Sequence, residues 1–284
     1  MQTKRPNWLR VKLPQGKEYH RLKNVLRSAG LHTVCEEAIC PNIGECFGQG
    51  TATFLILGDV CTRRCNFCAV TKGHPSILDE DEPERIARVV KQIGLRHVVI
   101  TSVTRDDLPD GGAKIYARTI RSIRTYNSTC TIEVLIPDFK GSEEALEIVL
   151  KEYPDILNHN LETVPRLYPD VRLQADYEFS LSLLEKVNVI HPGCITKSGL
   201  ILGMGEEYDE IIDVMKDLRE ANCDILTIGQ YLSPGKEYIP IKRYYHPEEF
   251  KRLKYEGEKM GFKHVESGPL VRSSYHAAAQ FNFV

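Results

Sequence analysis

Nine cysteines occur in this 284-residue chain, and six of them form two triplets near its start. Cys35, Cys40 and Cys46 read C-x4-C-x5-C, and Cys61, Cys65 and Cys68 read C-x3-C-x2-C. Three thiolates supply three corners of a four-iron cube and leave one iron open. An open iron is where chemistry can occur, so two triplets point to two clusters with separate jobs. Structural zinc would need a fourth ligand, usually in a paired Cys/His pattern, and no partner pair follows the second triplet at the expected distance.

Composition is compatible with that chemistry. Hydrophobic residues make up 42% of the chain, enough for a sizeable core, and the formal net charge is -2, which disfavours a nucleic-acid partner. No apolar run approaches the roughly 18 residues of a membrane span. The basic N-terminus lacks the apolar core of a secretory signal, so a cytoplasmic location is expected. There thiols stay reduced, and clustered cysteines hold metal more readily than they pair.

The elements that must position the triplets divide the chain in three. Residues 1–50 show little periodicity, carry the first triplet and read as an extension that Trp8 and Leu9 could dock. Residues 51–261 form the body. Short apolar runs predict buried strands at Phe54 to Leu57, His97 to Thr101, Ile132 to Ile136, Ile156 to Asn160, Lys186 to Ile190 with its continuation, and Ile225 to Ile228. Helices are expected over Pro83 to Ile93, Ala113 to Tyr126, Glu143 to Lys151, Asp176 to Glu185, Glu207 to Glu220 and His246 to Met260. Residues 262–284 carry a weak strand and the polar stretch Arg272-Ser273-Ser274-Tyr275. Alternating strands and helices predict an α/β fold of parallel βαβ units, either an open doubly wound sheet or a partial barrel. In both, ligands gather at the carboxyl ends of the strands.

The second triplet follows the first body strand and therefore lies on that edge. Polar residues end other strands. Thr101 and Ser102 could meet a ligand. Asn158, Asn160 and Glu162 either bind a ligand's polar groups or pack inside the sheet. Arg172 and Lys197 could hold a ligand's polar groups; a solvated surface cation is the other reading, more so for Arg172. Gln230 either contacts a ligand or fills an interior layer. Asp106, Asp107, Asp110, Gly111 and Gly112 form a polar loop that either shapes an entrance or caps a helix. Gly203-Met204-Gly205-Glu206 is too small for a phosphate loop and turns the chain into the next helix. No His-Glu-x-x-His, Gly-x-Ser-x-Gly or Walker pattern occurs.

The C-x3-C-x2-C loop resembles that of the radical S-adenosylmethionine superfamily. The wording around the first triplet, C-E-E-A-I-C-P-N-I-G-E-C, resembles the lipoyl synthase family within it. Further matching stretches are Thr101 to Leu108, Asp110 to Ala113, Asn158 to Arg166, Thr196 to Leu200 and Gly268 to Tyr275. The resemblance implies a partial (β/α)6 TIM-type barrel with N- and C-terminal extensions, two 4Fe–4S clusters and S-adenosyl-L-methionine. It implies that Cys61, Cys65 and Cys68 hold the cofactor-binding cluster, and that Cys35, Cys40, Cys46 and Ser273 hold an auxiliary one. Thr101, Ser102, Asn158, Asn160, Glu162, Arg172, Lys197 and Gln230 are then the candidate cofactor contacts. Among rival fourth ligands, Cys194 in a polar loop stands ahead of Cys130 and Cys223, and Ser274 stands beside Ser273. The resemblance further implies sulfur insertion at carbons 6 and 8 of an octanoyl-lysine on a lipoyl carrier domain or glycine-cleavage H protein. A ferredoxin or flavodoxin reductant and a cluster-assembly protein are the other implied partners. Two other readings stay open: another two-cluster radical enzyme, such as a methylthiotransferase or peptide-modifying maturase, and a non-catalytic iron–sulfur carrier or scaffold.

Overall fold

Runs of Val, Ile and Leu buried on both faces form one continuous sheet. A computed structural model describes residues 5–11 and 13–281. Its strands are β1 (His32–Thr33), β2 (Thr53–Ile56), β3 (Val60–Cys61), β4 (Thr71–Lys72), β5 (His97–Ser102), β6 (Thr131–Leu135), β7 (Ile156–Asn158), β8 (Ile195–Leu202), β9 (Ile225–Gln230) and β10 (His264–Gly268). The main sheet has the order β1-β2-β5-β6-β7-β8-β9-β10. Every neighbouring pair is parallel except β1 with β2. β3 and β4 form a separate parallel ribbon.

The helices are α1 (Lys17–Ser28), α2 (Val34–Glu37), α3 (Ile43–Gly48), α4 (Glu82–Ile93), α5 (Ala113–Tyr126), α6 (Glu143–Leu150), α7 (Tyr168–Val171), α8 (Tyr177–Ile190), α9 (Tyr208–Glu220), α10 (Pro247–Lys259) and α11 (Ala277–Phe281). Their apolar stripes set their orientation. In α9, Ile211, Val214, Met215 and Leu218 are buried at helical spacing, and a Glu207–Glu210 capping box starts the helix. Pro247 occupies the first turn of α10, whose end is followed by Gly261 at φ 89°.

Three expectations need correction. The run Lys186 to Ile190 is the last turn of α8, not a strand. Leu183, Leu184 and Val187 are buried on one helical face while Val189 is 76% exposed, so the period is helical. The strand of this unit begins after Gly193, at Ile195. The N-terminal extension holds an amphipathic helix, α1, which buries Tyr19, Leu22 and Leu26. The weak C-terminal strand is β10, a seventh parallel strand of the main sheet, so residues 262–284 start inside the body. The docking role of Trp8 and Leu9 stands: Leu9 is fully buried, and the Trp8 ring meets His246 edge-on at 5.0 Å.

The sheet does not close on itself, yet its two ends are bridged. Thr53 of β2 donates through Oγ1 to Ser274 Oγ at 2.8 Å, and Asn42 Nδ2 donates to the carbonyl of Leu270 at 2.7 Å. The segment after β10 thus spans the open side of a partial barrel. It passes so close over β9 that a Cβ at Gly229 would lie 2.0 Å from the Val271 carbonyl oxygen. Among the described residues no helix is long and apolar enough to cross a membrane.

Gly229→Ala is therefore expected to dislodge residues 271–275 and leave the outer helices intact. Hydrogen exchange should rise in that tail alone. Unchanged tail protection would contradict the crossing geometry.

Candidate functional site

The second triplet begins where β2 turns sharply out of the sheet. Leu57 has φ 69° and Gly58 φ 89°, a left-handed pair at the strand's carboxyl end. The Leu57 amide donates to buried Glu82 Oε2 at 2.8 Å, which fixes that turn. β3 and β4 then pinch the loop, pairing Cys61 with Lys72. Thr62 donates through its amide and its hydroxyl to the Thr104 carbonyl at 3.0 and 2.9 Å. The Thr104 amide meets Cys61 Sγ at 3.3 Å.

Arg63, inside the triplet, is the main anchor. Its guanidinium donates to Asp138 at 2.5 and 2.6 Å and to Asp106 at 2.8 and 3.1 Å. Burial pushes the Asp138 carboxyl up, but Arg63 outweighs it and holds that carboxyl below the usual range. Asp138 follows β6, and Asp106 belongs to the polar loop after β5. That loop therefore anchors the cysteines through Asp106 and caps α5 through Asp110, which accepts from the Gly112 and Lys114 amides.

The first triplet is built from two short helices. Thr33 caps α2, which carries Cys35. Ile39 takes φ 51°, unusual for a β-branched residue, and redirects the chain into Cys40. Cys46 lies on α3. The C-terminal tail is tied to this segment, since Tyr275 Oη donates to Glu45 Oε1 at 3.1 Å.

The whole second triplet and two cysteines of the first face one cavity of about 660 Å³. Cys35, Cys40, Cys61, Cys65 and Cys68 line it, together with Ser273 and Ser274. Burial pushes Cys35 up to about 12, with Cys40 and Cys46 adding to the rise. Cys46 is pushed to about 11 by burial and by Cys40, and Cys68 to about 12 by burial, with Cys65 and Cys61 also raising it. Burial thus favours the neutral thiol at these three positions, and a bound cationic group would favour the thiolate instead. Among the described residues no three Cys, His, Asp or Glu side chains gather on a single-ion site.

Comparison with known proteins places the chain in a family. Residues 55–230 match the model of the radical SAM superfamily, and residues 1–40 match the N-terminal domain of lipoyl synthase. A lipoyl synthase of Rubrobacter xylanophilus is 58% identical over 97% of this chain and 86% of its own length. One from Caldanaerobacter subterraneus is 54% identical over 98% of this chain and 97% of its own. The chain belongs to the lipoyl synthase family. It is an enzyme of the sulfurtransferase class within the radical S-adenosylmethionine superfamily, and that membership brings a 4Fe–4S cluster and S-adenosylmethionine. Among solved structures, Streptococcus suis SuiB bound to its precursor peptide SuiA aligns with a TM-score of 0.58 at 16% identity, covering 89% of this chain and 55% of SuiB. Methylornithine synthase aligns at 0.54 and 14% identity, covering 86% of this chain and 70% of that one. At such identities these two speak to fold alone.

For a member of this family, the polar wall of the cavity has the right unfilled valences. Ser102 Oγ, Asn160 Oδ1 and Arg172 Nε are buried without a hydrogen-bond partner, and all three residues line the cavity. A polar cofactor with ammonium, carboxylate and ribose groups matches such donors and acceptors. Glu162, at φ 67°, lies on the same wall; burial raises its carboxyl while Arg172 lowers it. Arg172 is not a solvated cation. It is buried and donates through Nη1 to the Asn160 carbonyl at 3.1 Å and to Tyr168 Oη at 2.8 Å. Thr101 also lines the cavity, though its hydroxyl donates to the Leu135 carbonyl at 3.1 Å.

Three other candidates do not line it. Lys197 is fully buried against Glu133 at 2.8 Å, and Asn158 Nδ2 donates to the same Glu133 oxygen at 3.1 Å. Gln230 donates to the carbonyls of Leu202, Tyr231 and Arg243 and accepts from the Tyr245 amide. These side chains stiffen the interior beside the cavity. Cys194 is buried against the Pro154 carbonyl at 3.6 Å and is not on the cavity wall; Cys130 and Cys223 are buried likewise. Arg63 and Asp138 were missed by motif reading. Their signals were a cation between two ligand cysteines and an acid just past a strand end.

Two outcomes follow. Breaking the buried clamp with Arg63→Met should cost about 3–5 kcal/mol, the usual range when one partner of a buried ion pair is removed. Because the Asp138 carboxyl is depressed in the folded chain, its contribution is complete above the ordinary carboxylate range and lost as pH falls through the depressed value. Urea unfolding from about pH 6 to about pH 3 should therefore show a drop that Asp138→Asn flattens. Separately, Cys194→Ser should leave iron content unchanged; loss of iron would restore Cys194 as a ligand.

Proposed function

We propose that this chain inserts two sulfur atoms, at carbons 6 and 8, into an octanoyl group carried on a protein lysine, giving the lipoyl group. The observation that carries this reading is the shared cavity: Cys35 and Cys40 of the first triplet face the same space as Cys61, Cys65 and Cys68 of the second. In this reading Cys61, Cys65 and Cys68 hold the cofactor-binding cluster. Cys35, Cys40, Cys46 and Ser273 hold an auxiliary 4Fe–4S cluster that supplies the sulfur. When bound, the first cluster and S-adenosylmethionine supply the hydrogen-abstracting radical, and the second supplies sulfide.

The chain's own residues orient and enclose these groups. Ser102, Asn160, Glu162 and Arg172 are the proposed cofactor contacts, with Thr101 beside them. Orphaned buried atoms on Ser102, Asn160 and Arg172 support that assignment. Arg63, gripped by Asp138 and Asp106, fixes the cluster loop against the barrel. Ser273 is preferred over Ser274 because the Ser274 hydroxyl already accepts from Thr53 at 2.8 Å, whereas Ser273 Oγ has only a long contact of 3.4 Å from Asn160 Nδ2. A serine oxygen is a hard, weak match for iron, as a cluster that must be opened requires. The proposed partners are an octanoylated lipoyl carrier domain or glycine-cleavage H protein, a ferredoxin or flavodoxin, and a cluster-assembly protein, all in the cytoplasm.

The test is anaerobic turnover of reconstituted enzyme with octanoylated carrier, reductant and S-adenosylmethionine. Both 5′-deoxyadenosine and thiolated carrier are expected. Replacing Cys35, Cys40 and Cys46 together by Ala should preserve reductive cleavage to 5′-deoxyadenosine and abolish sulfur transfer. Thiolated carrier from that variant would reject the auxiliary site as sulfur source.

A further inference from the structure

Asn160 lines the cavity that the triplet cysteines face, and its amide is only half satisfied. Nδ2 donates to Glu162 Oε1 at 3.0 Å and to Ser273 Oγ at 3.4 Å. Oδ1 is buried and accepts nothing. The residue is held from behind by Arg172, which donates to its carbonyl at 3.1 Å. On β8 the neighbour is Gly199, where a Cβ would lie 2.9 Å from Asn160 Oδ1 and 2.6 Å from Thr227 Oγ1. No side chain at position 199 fits between β8 and this amide. With one N–H fixed on Glu162, the other is aimed at the serine.

We propose that Asn160 couples cofactor occupancy to the hold of Ser273 on the auxiliary cluster; the inference rests on the reading of Ser273 as an iron ligand. An orphaned acceptor in a cavity wall is satisfied by a donor of the bound cofactor, an ammonium or a ribose hydroxyl. Accepting that hydrogen bond polarises the amide and makes its N–H groups better donors, because hydrogen bonds in a chain reinforce one another. The contact on Ser273 Oγ then tightens and draws charge from the oxygen. Oxygen is already the poorly matched corner of a cube otherwise held by thiolates. Cofactor binding therefore loosens that corner. The arrangement protects the sulfur store until a radical source is in place. Ser274 is outside this relay, since its hydroxyl is engaged by Thr53.

The test uses the full chain with both clusters, anaerobic and without reductant, so that no turnover occurs. Iron release to a chelator is followed with and without saturating S-adenosylmethionine, and Mössbauer spectra assign the lost iron to one cluster. Cofactor should speed loss of auxiliary iron by roughly two- to fivefold, the scale set by strengthening one hydrogen bond. In Asn160→Ala, with cofactor binding verified directly, the acceleration should vanish. In Ser273→Cys, whose thiolate is a matched ligand, it should vanish with the cluster intact. Equal acceleration in wild type and Asn160→Ala, or none in wild type, overturns the coupling. An auxiliary-cluster spectrum unchanged in Ser273→Ala instead overturns the ligand reading beneath it.

Discussion

The site depends on how the open side of the barrel is bridged. A parallel sheet that fails to close leaves two edges, and here the chain after β10 crosses from one to the other. Gly229 permits the crossing by carrying no Cβ where the Val271 carbonyl passes. Thr53–Ser274 and Asn42–Leu270 fasten its far side to β2 and to the N-terminal segment. Each such hydrogen bond is worth only about 1 kcal/mol net. Their value lies in register: they bring Ser273, the first triplet and the strand ends to one wall.

The second constraint is electrostatic. Five of the six triplet cysteines have thiols raised by burial, with neighbouring thiols adding to the rise in four of them. Such neutral thiols do not position their own loops, so other groups must. Arg63 answers this on the second triplet with two carboxylates from different strand ends. A buried ion pair stabilises little over a well-packed apolar substitute. Its service here is geometric, since a bidentate fork allows one orientation. The same logic explains Glu133 with Lys197 and Asn158, which fill the barrel interior beside the cavity with a fixed polar layer.

Much of this was legible in the sequence because the strongest signals were local. The cysteine spacings stood out alone, and the runs around Ile100, Val134 and Ile228 read correctly as buried strands. Lys186 to Ile190 misled because a short Val/Ile run carries no period of its own; only the burial of Leu183 and Leu184 with Val187 shows the helix. α1 was overlooked because its few apolar residues are diluted by charge. Polar residues at strand ends stood out as a group, but sequence could not say which faced the cavity. Asn160 faces it and Asn158, two residues earlier, does not, because Glu133 on β6 captures the latter. Nor could sequence show that Arg63 would meet Asp138, since that contact joins positions 75 residues apart.

The central claim is that two cube-holding sites share one cavity. Iron and sulfide analysis with Mössbauer spectroscopy, on chain reconstituted without oxygen, tests it most directly. The account predicts about eight iron and eight sulfide per chain in two spectroscopically distinct cubes. A single cube, or zinc in place of iron at either triplet, would contradict it.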